Sequence, residues 1–242
     1  MWLLWELRLT FHEVPFVEVI RKIILSVKVA KINYFVMVGG TGSLHVPGQF
    51  YGECAADHPE FFLAYRRALA ASEAHTSYME ERLGILGSSL REYRNARIAE
   101  REGRATAETK AYIEKYEGEL RKKDKASDFI KAGRTTYMFF DGNTSFRWTY
   151  VSPSALYRPG KRTGQYEIVV DELPLKDQPA ASENSLDGRL LGVSVADLAI
   201  AIADEIQEQK YVGKHWSAVA DLSDDTPTPS YVTLQSLEDV AQ

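Results

Sequence analysis

The sequence predicts an α/β domain, a parallel sheet flanked by helices, and three observations carry that prediction. The stretch Val17 to Val29 (VEVIRKIILSVKV) sets apolar residues at 17, 20, 24 and 27, with Glu18, Arg21, Lys22 and Lys28 on the opposite side, which is the pattern of an amphipathic helix. Ile32 to Val38 (INYFVMV) is a continuous apolar run of β-formers closed by Gly39 and Gly40, as expected of a fully buried parallel strand. Near the other end, Ser194 heads a helix whose stripe is Leu198, Ile202 and Ile206, and His215 to Val219 (HWSAV) follows as a strand. Helix, short turn and buried strand form the repeating step of a layered α/β sheet.

The other elements follow in chain order. Met1 to Phe11 (MWLLWELRLTF) is interrupted by Glu6 and Arg8, falls short of the roughly 20 apolar residues of a membrane span, and lacks the basic start of a secretory signal. An amphipathic strand or helix start is expected there, and with no targeting signal a cytoplasmic location and no membrane partner. Gly39 to Gly48 reads as a loop. Pro59 to Leu83 reads as one long helix, with Pro59 in its first turn and Phe62, Tyr65, Leu69, Ser72, His75 and Met79 along one side. Further strands are expected at Arg147 to Ser152, stopped by Pro153, at Gln165 to Val170, and at Leu190 to Val193. Ser194 is a good N-cap with Asp197 three residues on. Asp221 to Pro229 is acidic and Pro-rich, a loose tail.

Composition excludes more than it names. With 242 residues, 45% hydrophobic and 26% charged, the chain can bury a sizeable core. A single cysteine, Cys54, excludes an internal disulfide framework. The net charge of −5 gives no global pull toward nucleic acid. No HExxH, CxxC or paired-His spacing is present, so no metal site is expected, and neither a GxSxG elbow nor a Walker A loop occurs. The charge is unevenly spread, since Arg91 to Lys131 holds 12 basic and 9 acidic residues. Arg91, Arg94, Arg97, Arg101 and Arg104 share one arc of a helix, but glutamates interleave and no aromatic platform accompanies them. A solvated helical hairpin is expected there, and no nucleic acid partner.

Gly39-Gly40-Thr41-Gly42-Ser43 after a buried strand invites comparison with a pyrophosphate-binding loop. That chemistry needs a third glycine and a helix starting at once, so that its N-terminus meets the phosphates. Here His45 occupies the third position, and Pro47 and Gly48 follow within the first two turns. The stretch fits better as a loop at the carboxyl end of a later strand, where open α/β sheets bind ligands.

The run VIRKIILSVKVAKINYFVMVGGTGSL resembles the helix, strand and loop near mid-sequence of atypical short-chain dehydrogenase/reductases, in the NADH-flavin reductase-like and NmrA-like branch. WTYVSPSALYRPGKRTGQYEIVVD is similar to that family's next strand, Ser-Pro loop and covering segment, and LLGVSVADLAIAIADEI to its closing strand and helix. The resemblance implies a Rossmann-like sheet divided as 1–83 and 147–220, with a charged helical insertion at 84–146 and a tail at 221–242. It also implies a departure: the family's opening βαβ unit with its phosphate loop has no counterpart before residue 17, so the domain reads as truncated at its N-terminus.

On that likeness the cofactor is NAD(P)H, with FMN or FAD as a possible substrate, and the reaction is hydride transfer to a small conjugated acceptor. Gly39, Gly40, Thr41, Ser152, Pro153 and Ser154 would hold the nicotinamide, Pro153 fixing the backbone so that the Ser154 amide faces the carboxamide. Ser43 and His45 would be the catalytic hydroxyl and proton donor, and Tyr157, Arg158 and Arg162 would hold the substrate. A Tyr-x-x-x-Lys pair is missing, because Tyr65 precedes Leu69 and Tyr78 precedes Arg82, and arginine does not replace lysine in that role. The alternatives are an NmrA-like sensor that binds without turnover and an inactive fragment of a reductase.

Overall fold

The computed structural model describes residues 13–48, 53–122 and 128–223. The expectations for Met1 to Phe11 and for the tail beyond residue 223 lie outside them. Among the described residues seven helices surround the strands: α1 (Glu13–Val29), α2 (Phe61–Ala71), α3 (Glu73–Leu83), α4 (Ile85–Arg101), α5 (Ala107–Leu120), α6 (Asp128–Met138) and α7 (Val195–Glu208). The strands are β1 (Phe35–Val38), β2 (Trp148–Val151), β3 (Leu156–Arg158), β4 (Glu167–Val170), β5 (Gly192–Ser194) and β6 (His215–Val219).

The main sheet runs β1-β2-β6-β4, and β3 and β5 form a separate parallel pair. β1, β2 and β6 are parallel, with Phe35 opposite Trp148 and Tyr150 opposite His215. β4 lies antiparallel to β6, with Val170 opposite Trp216. An antiparallel strand on the edge of a parallel sheet is a common closure.

Alternation along the strands sorts the core into two layers. Trp148 and Tyr150 face α1 and α6, packing with Ile20 and Phe140. Val151, Trp216 and Ala218 face α7, against Leu198 and Ala201. A third cluster, including Leu44, Val46, Phe61, Ala64 and Leu173, fills the space between the loop after β1 and α2.

The long helix expected over 59–83 is two. Ser72 takes an extended conformation (φ −103°, ψ 127°) and accepts the His75 amide, ending α2 and capping α3. Serine competes in this way for backbone groups, and the apolar periodicity runs on across the break without recording it. α4 and α5 form the expected hairpin, packed on α2 through Leu69, Leu90, Tyr93 and Ile113. Three of its arginines pair with carboxylates: Arg91 with Glu73 and Glu80 of α3, Arg94 with Glu73, and Arg97 with Glu117 of α5. α6 returns to the sheet, packing on α1 and on the turn at Thr41–Ser43.

Candidate functional site

Two loops meet at the carboxyl ends of β1 and β2. The first leaves β1 at Gly39, whose amide donates to the Val151 carbonyl at 2.7 Å, and makes one 3₁₀ turn at Thr41–Ser43. The second is Ser152-Pro153-Ser154. The Thr41 hydroxyl ties them, donating to the Pro153 carbonyl at 2.8 Å.

Beneath lies a buried polar chain. The Ser43 hydroxyl donates to the Gly40 carbonyl at 2.7 Å, Ser43 Oγ is 3.4 Å from Ser152 Oγ, and Ser152 Oγ is 2.8 Å from His215 Nε2. His215 Nδ1 is buried with no hydrogen-bond partner among the described residues. A bare ring acceptor is cheaper to strand than an N–H, which assigns the proton to Nε2. The donors then run in one direction, from His215 to Ser152, from Ser152 to Ser43, and from Ser43 to Gly40. Burial, with the His45 charge adding to it, pushes the His215 pKa down to about 3, so the ring is neutral. Tyr137 lies over it with ring centroids 4.3 Å apart, and Tyr150 meets it edge-on at 5.1 Å. Burial raises both phenol pKa values above the ordinary range, so neither is an activated tyrosine.

The His215 shift has a consequence for stability. Its folded pKa lies below the unfolded value of 6.5, so unfolding takes up a proton between the two. Stability from this group is fully present above the unfolded value and is lost as pH falls toward 3. Urea midpoints measured over this range are expected to fall with pH, and to fall less steeply in His215→Gln.

The expected site residues are distributed as follows. Gly39, Gly40, Thr41, Ser43, Ser152, Pro153 and Ser154 come together. Ser43 and Ser152 are buried within the polar chain, so they position the loop. Ser154 is buried and its Oγ has no partner among the described residues. His45 is half-buried, and its backbone joins the loop to the end of β4, its amide donating to the Asp171 carbonyl at 2.9 Å and its carbonyl accepting from Leu173 at 2.7 Å. Tyr157 is half-buried against the α7-side core. Arg158 is fully buried, its guanidinium donating to the carbonyls of Pro159 and Ser223, whereas Arg162 is exposed. Asp197 accepts from the amides of Thr163 and Gly164 and holds that loop to α7. Sequence reasoning missed His215, Tyr137 and Tyr150. His215 opens a strand otherwise recognised by its apolar content, and nothing in its spacing points to Ser152.

The residues present fit the ring end of a nicotinamide dinucleotide. Gly40 is exposed with φ −129°, a Cβ there would meet nothing within 4 Å, and the partnerless Ser154 hydroxyl lies in the adjoining loop. Of the described helices, α3, α5 and α7 have N-termini already capped by Ser72, Thr106 and Ser194, and Glu60 precedes α2.

No protein-family model and no curated protein matches this sequence. Solved structures with a similar course include a candidate exported protein from Burkholderia pseudomallei, at 19% identity and TM-score 0.47 over 86% of this chain and 66% of that one. Others are a candidate epimerase from Bacteroides thetaiotaomicron, at 21% identity and TM-score 0.45 over 84% and 60%, and a candidate NADH-flavin reductase from Streptococcus pneumoniae, at 17% and 0.41 over 78% and 56%. The chain thus spans less than two thirds of the length of each. With all these TM-scores below 0.5, the α/β assignment rests on the sheet order and helix layers described above. No described helix is long and apolar enough to cross a membrane.

Proposed function

We propose that this chain binds the nicotinamide end of NAD(P)H in the crevice between the loops at 39–45 and 152–158, and that it serves hydride transfer to a small conjugated acceptor such as a flavin. The observation that carries the reading is the closure of these loops over adjacent parallel strands by Thr41 and Pro153, 2.8 Å apart, with open space at Gly40. Crevices at the carboxyl ends of such strands are where open α/β sheets take ligands. When bound, the dinucleotide supplies the hydride. Gly40 lets a flat ring approach the backbone, and the buried chain from His215 to Gly40 fixes the first loop in place.

That chain is a positioning device, because its hydroxyls are shielded and its histidine stays neutral. The acceptor must then carry much of the proton chemistry itself, as flavins do. The same shielding favours a second reading, an NmrA-like sensor that binds without turnover. Titration with NADPH, followed by cofactor fluorescence and then by addition of FMN, separates them. Loss of the nicotinamide absorbance supports the reductase, binding without oxidation supports the sensor, and no binding overturns both.

A further inference from the structure

The outer edge of β4 is open. β4 ends the order of the main sheet, with β6 on one side of it. In an antiparallel pair, alternate residues turn their backbone groups toward the partner strand. The Asp171 amide donates to the His215 carbonyl at 2.9 Å, so Val169 and Glu167 also turn toward β6. Ile168 and Val170 then turn outward, and their amides have no hydrogen-bond partner among the described residues. Past Val170 the edge is closed by the loop at His45, whose amide donates to the Asp171 carbonyl. An open row of strand amides is a template for another chain.

A cleft lies beside this edge. Its volume is about 1290 Å³, and Gln165 to Ile168 line it together with Leu190, Ala201 and Leu222. Small-ligand pockets enclose roughly 300–1,000 Å³, so this cleft has room for an extended segment. Tyr166 and Ile168 pack on the α7-side cluster, which places Glu167 on the opposite face of β4, where it is exposed. A strand added here meets apolar side chains on one face and a carboxylate on the other.

The charges around the cleft select its occupant. The acidic lining residues are Glu167, Asp204, Glu205, Glu208 and Asp221, and the basic ones are Lys176 and Lys210. Lys210 pairs with Glu208 at 2.6 Å. Glu205 is buried and accepts the Tyr34 hydroxyl and the amides of Lys210 and Tyr211. Asp204 accepts the Tyr166 hydroxyl at 2.5 Å, a neutral donor that leaves its charge in place. Glu167, Asp204 and Asp221 therefore stand against Lys176 alone. The chain's own residues 224–242 do not match this rim, because they carry four acidic and no basic residues. A second copy pairing edge to edge would set the acidic rim against itself, and like charges across a strand pair are destabilising.

We propose that the outer edge of β4 takes an extended basic peptide of a partner protein as an added strand, its lysines or arginines meeting Glu167, Asp204 and Asp221. Main-chain hydrogen bonds to Ile168 and Val170 supply the register, and the carboxylates supply the choice of partner.

The test is fluorescence anisotropy of the full chain with a labelled heptapeptide of alternating lysine and valine. One control peptide alternates glutamate and valine. The other is the lysine peptide methylated at every amide nitrogen, which cannot donate to a neighbouring strand. The lysine peptide is expected to bind about tenfold or more tightly than either control. Added salt should weaken it. Glu167→Lys and Asp221→Lys, both at exposed positions, should each lower its affinity without changing the melting temperature, and the double variant should lose most of it. Equal binding of the lysine peptide and either control overturns the proposal, as does unchanged affinity in the folded double variant. Binding by a free peptide of residues 224–242, or a dimer that the lysine peptide disrupts, gives the edge to another occupant and overturns it as well.

Discussion

Replacing Glu117 by alanine is expected to destabilise the protein by about 3–5 kcal/mol, the usual cost of stranding the partners of a buried charge. Glu117 is 5% exposed, yet it accepts from Arg67, from Arg97 at 2.8 Å, from Arg121 at 3.2 Å and from the Tyr93 hydroxyl at 2.5 Å. Burial alone would raise its pKa, but the hydrogen bonds from Arg67 and Tyr93 and the charges of Arg67 and Arg97 outweigh it and hold the carboxyl below its ordinary range. Its contribution is therefore present above the unfolded carboxylate pKa and is lost as pH falls through the lowered folded value. The interaction locks α5 onto α2 and α4, and through Asp187 and Arg67 onto the loop before β5. Urea denaturation of Glu117→Ala at neutral pH measures the loss directly. Because the group is buried, added salt should recover little of it.

Gly39→Val should cost about 1–3 kcal/mol or more, the range for overpacking a filled core. A Cβ at Gly39 would lie 2.3 Å from the Tyr150 ring, and that ring cannot step aside. It is fully buried, walled by Phe140 at 5.3 Å, Tyr137 at 5.2 Å and His215 at 5.1 Å between centroids. Combining Gly39→Ala with Tyr150→Ala should be less damaging than the sum of the two single changes, since the second removes the obstacle. Thermal denaturation of the four proteins in that cycle measures the coupling, and additive effects would mean that the ring does not set the requirement for glycine.

The adjacent glycines divide the motif between structure and chemistry, and this division was not legible in the sequence. Gly39-Gly40-Thr41-Gly42-Ser43 could be placed at the end of a strand from local pattern alone, because the apolar run and its stop are local facts, but the expected full burial is corrected: β1 lies at the end of the sheet order, half-buried and with Val38 exposed. Which glycine is crowded depends on Tyr150, more than a hundred residues away in sequence. The same holds for His215 and Ser152, which meet only once β6 pairs with β2. α1, β1, β2, α7 and β6 were readable because their periodicity and caps are carried by contiguous residues. The break at Ser72 was not, since apolar spacing continues through it. β3 was also missed, a three-residue strand between Pro153 and Pro159 whose pairing with β5 leaves no alternation long enough to read. The arginine arc of α4 was legible as a face, and its neutralisation by Glu73, Glu80 and Glu117 required the neighbouring helices.

The central claim, that the two loops form a nicotinamide site, is tested most directly by titrating NADPH into the wild-type protein and Gly40→Val. Gly40 is exposed with extended backbone, and a side chain there meets nothing, so the variant should fold as the wild type does. An unchanged melting temperature is expected, with NADPH affinity weakened by about tenfold or more, the effect of filling the space a flat ring would occupy. Equal NADPH affinity in the two proteins, or no binding by the wild type, would contradict it.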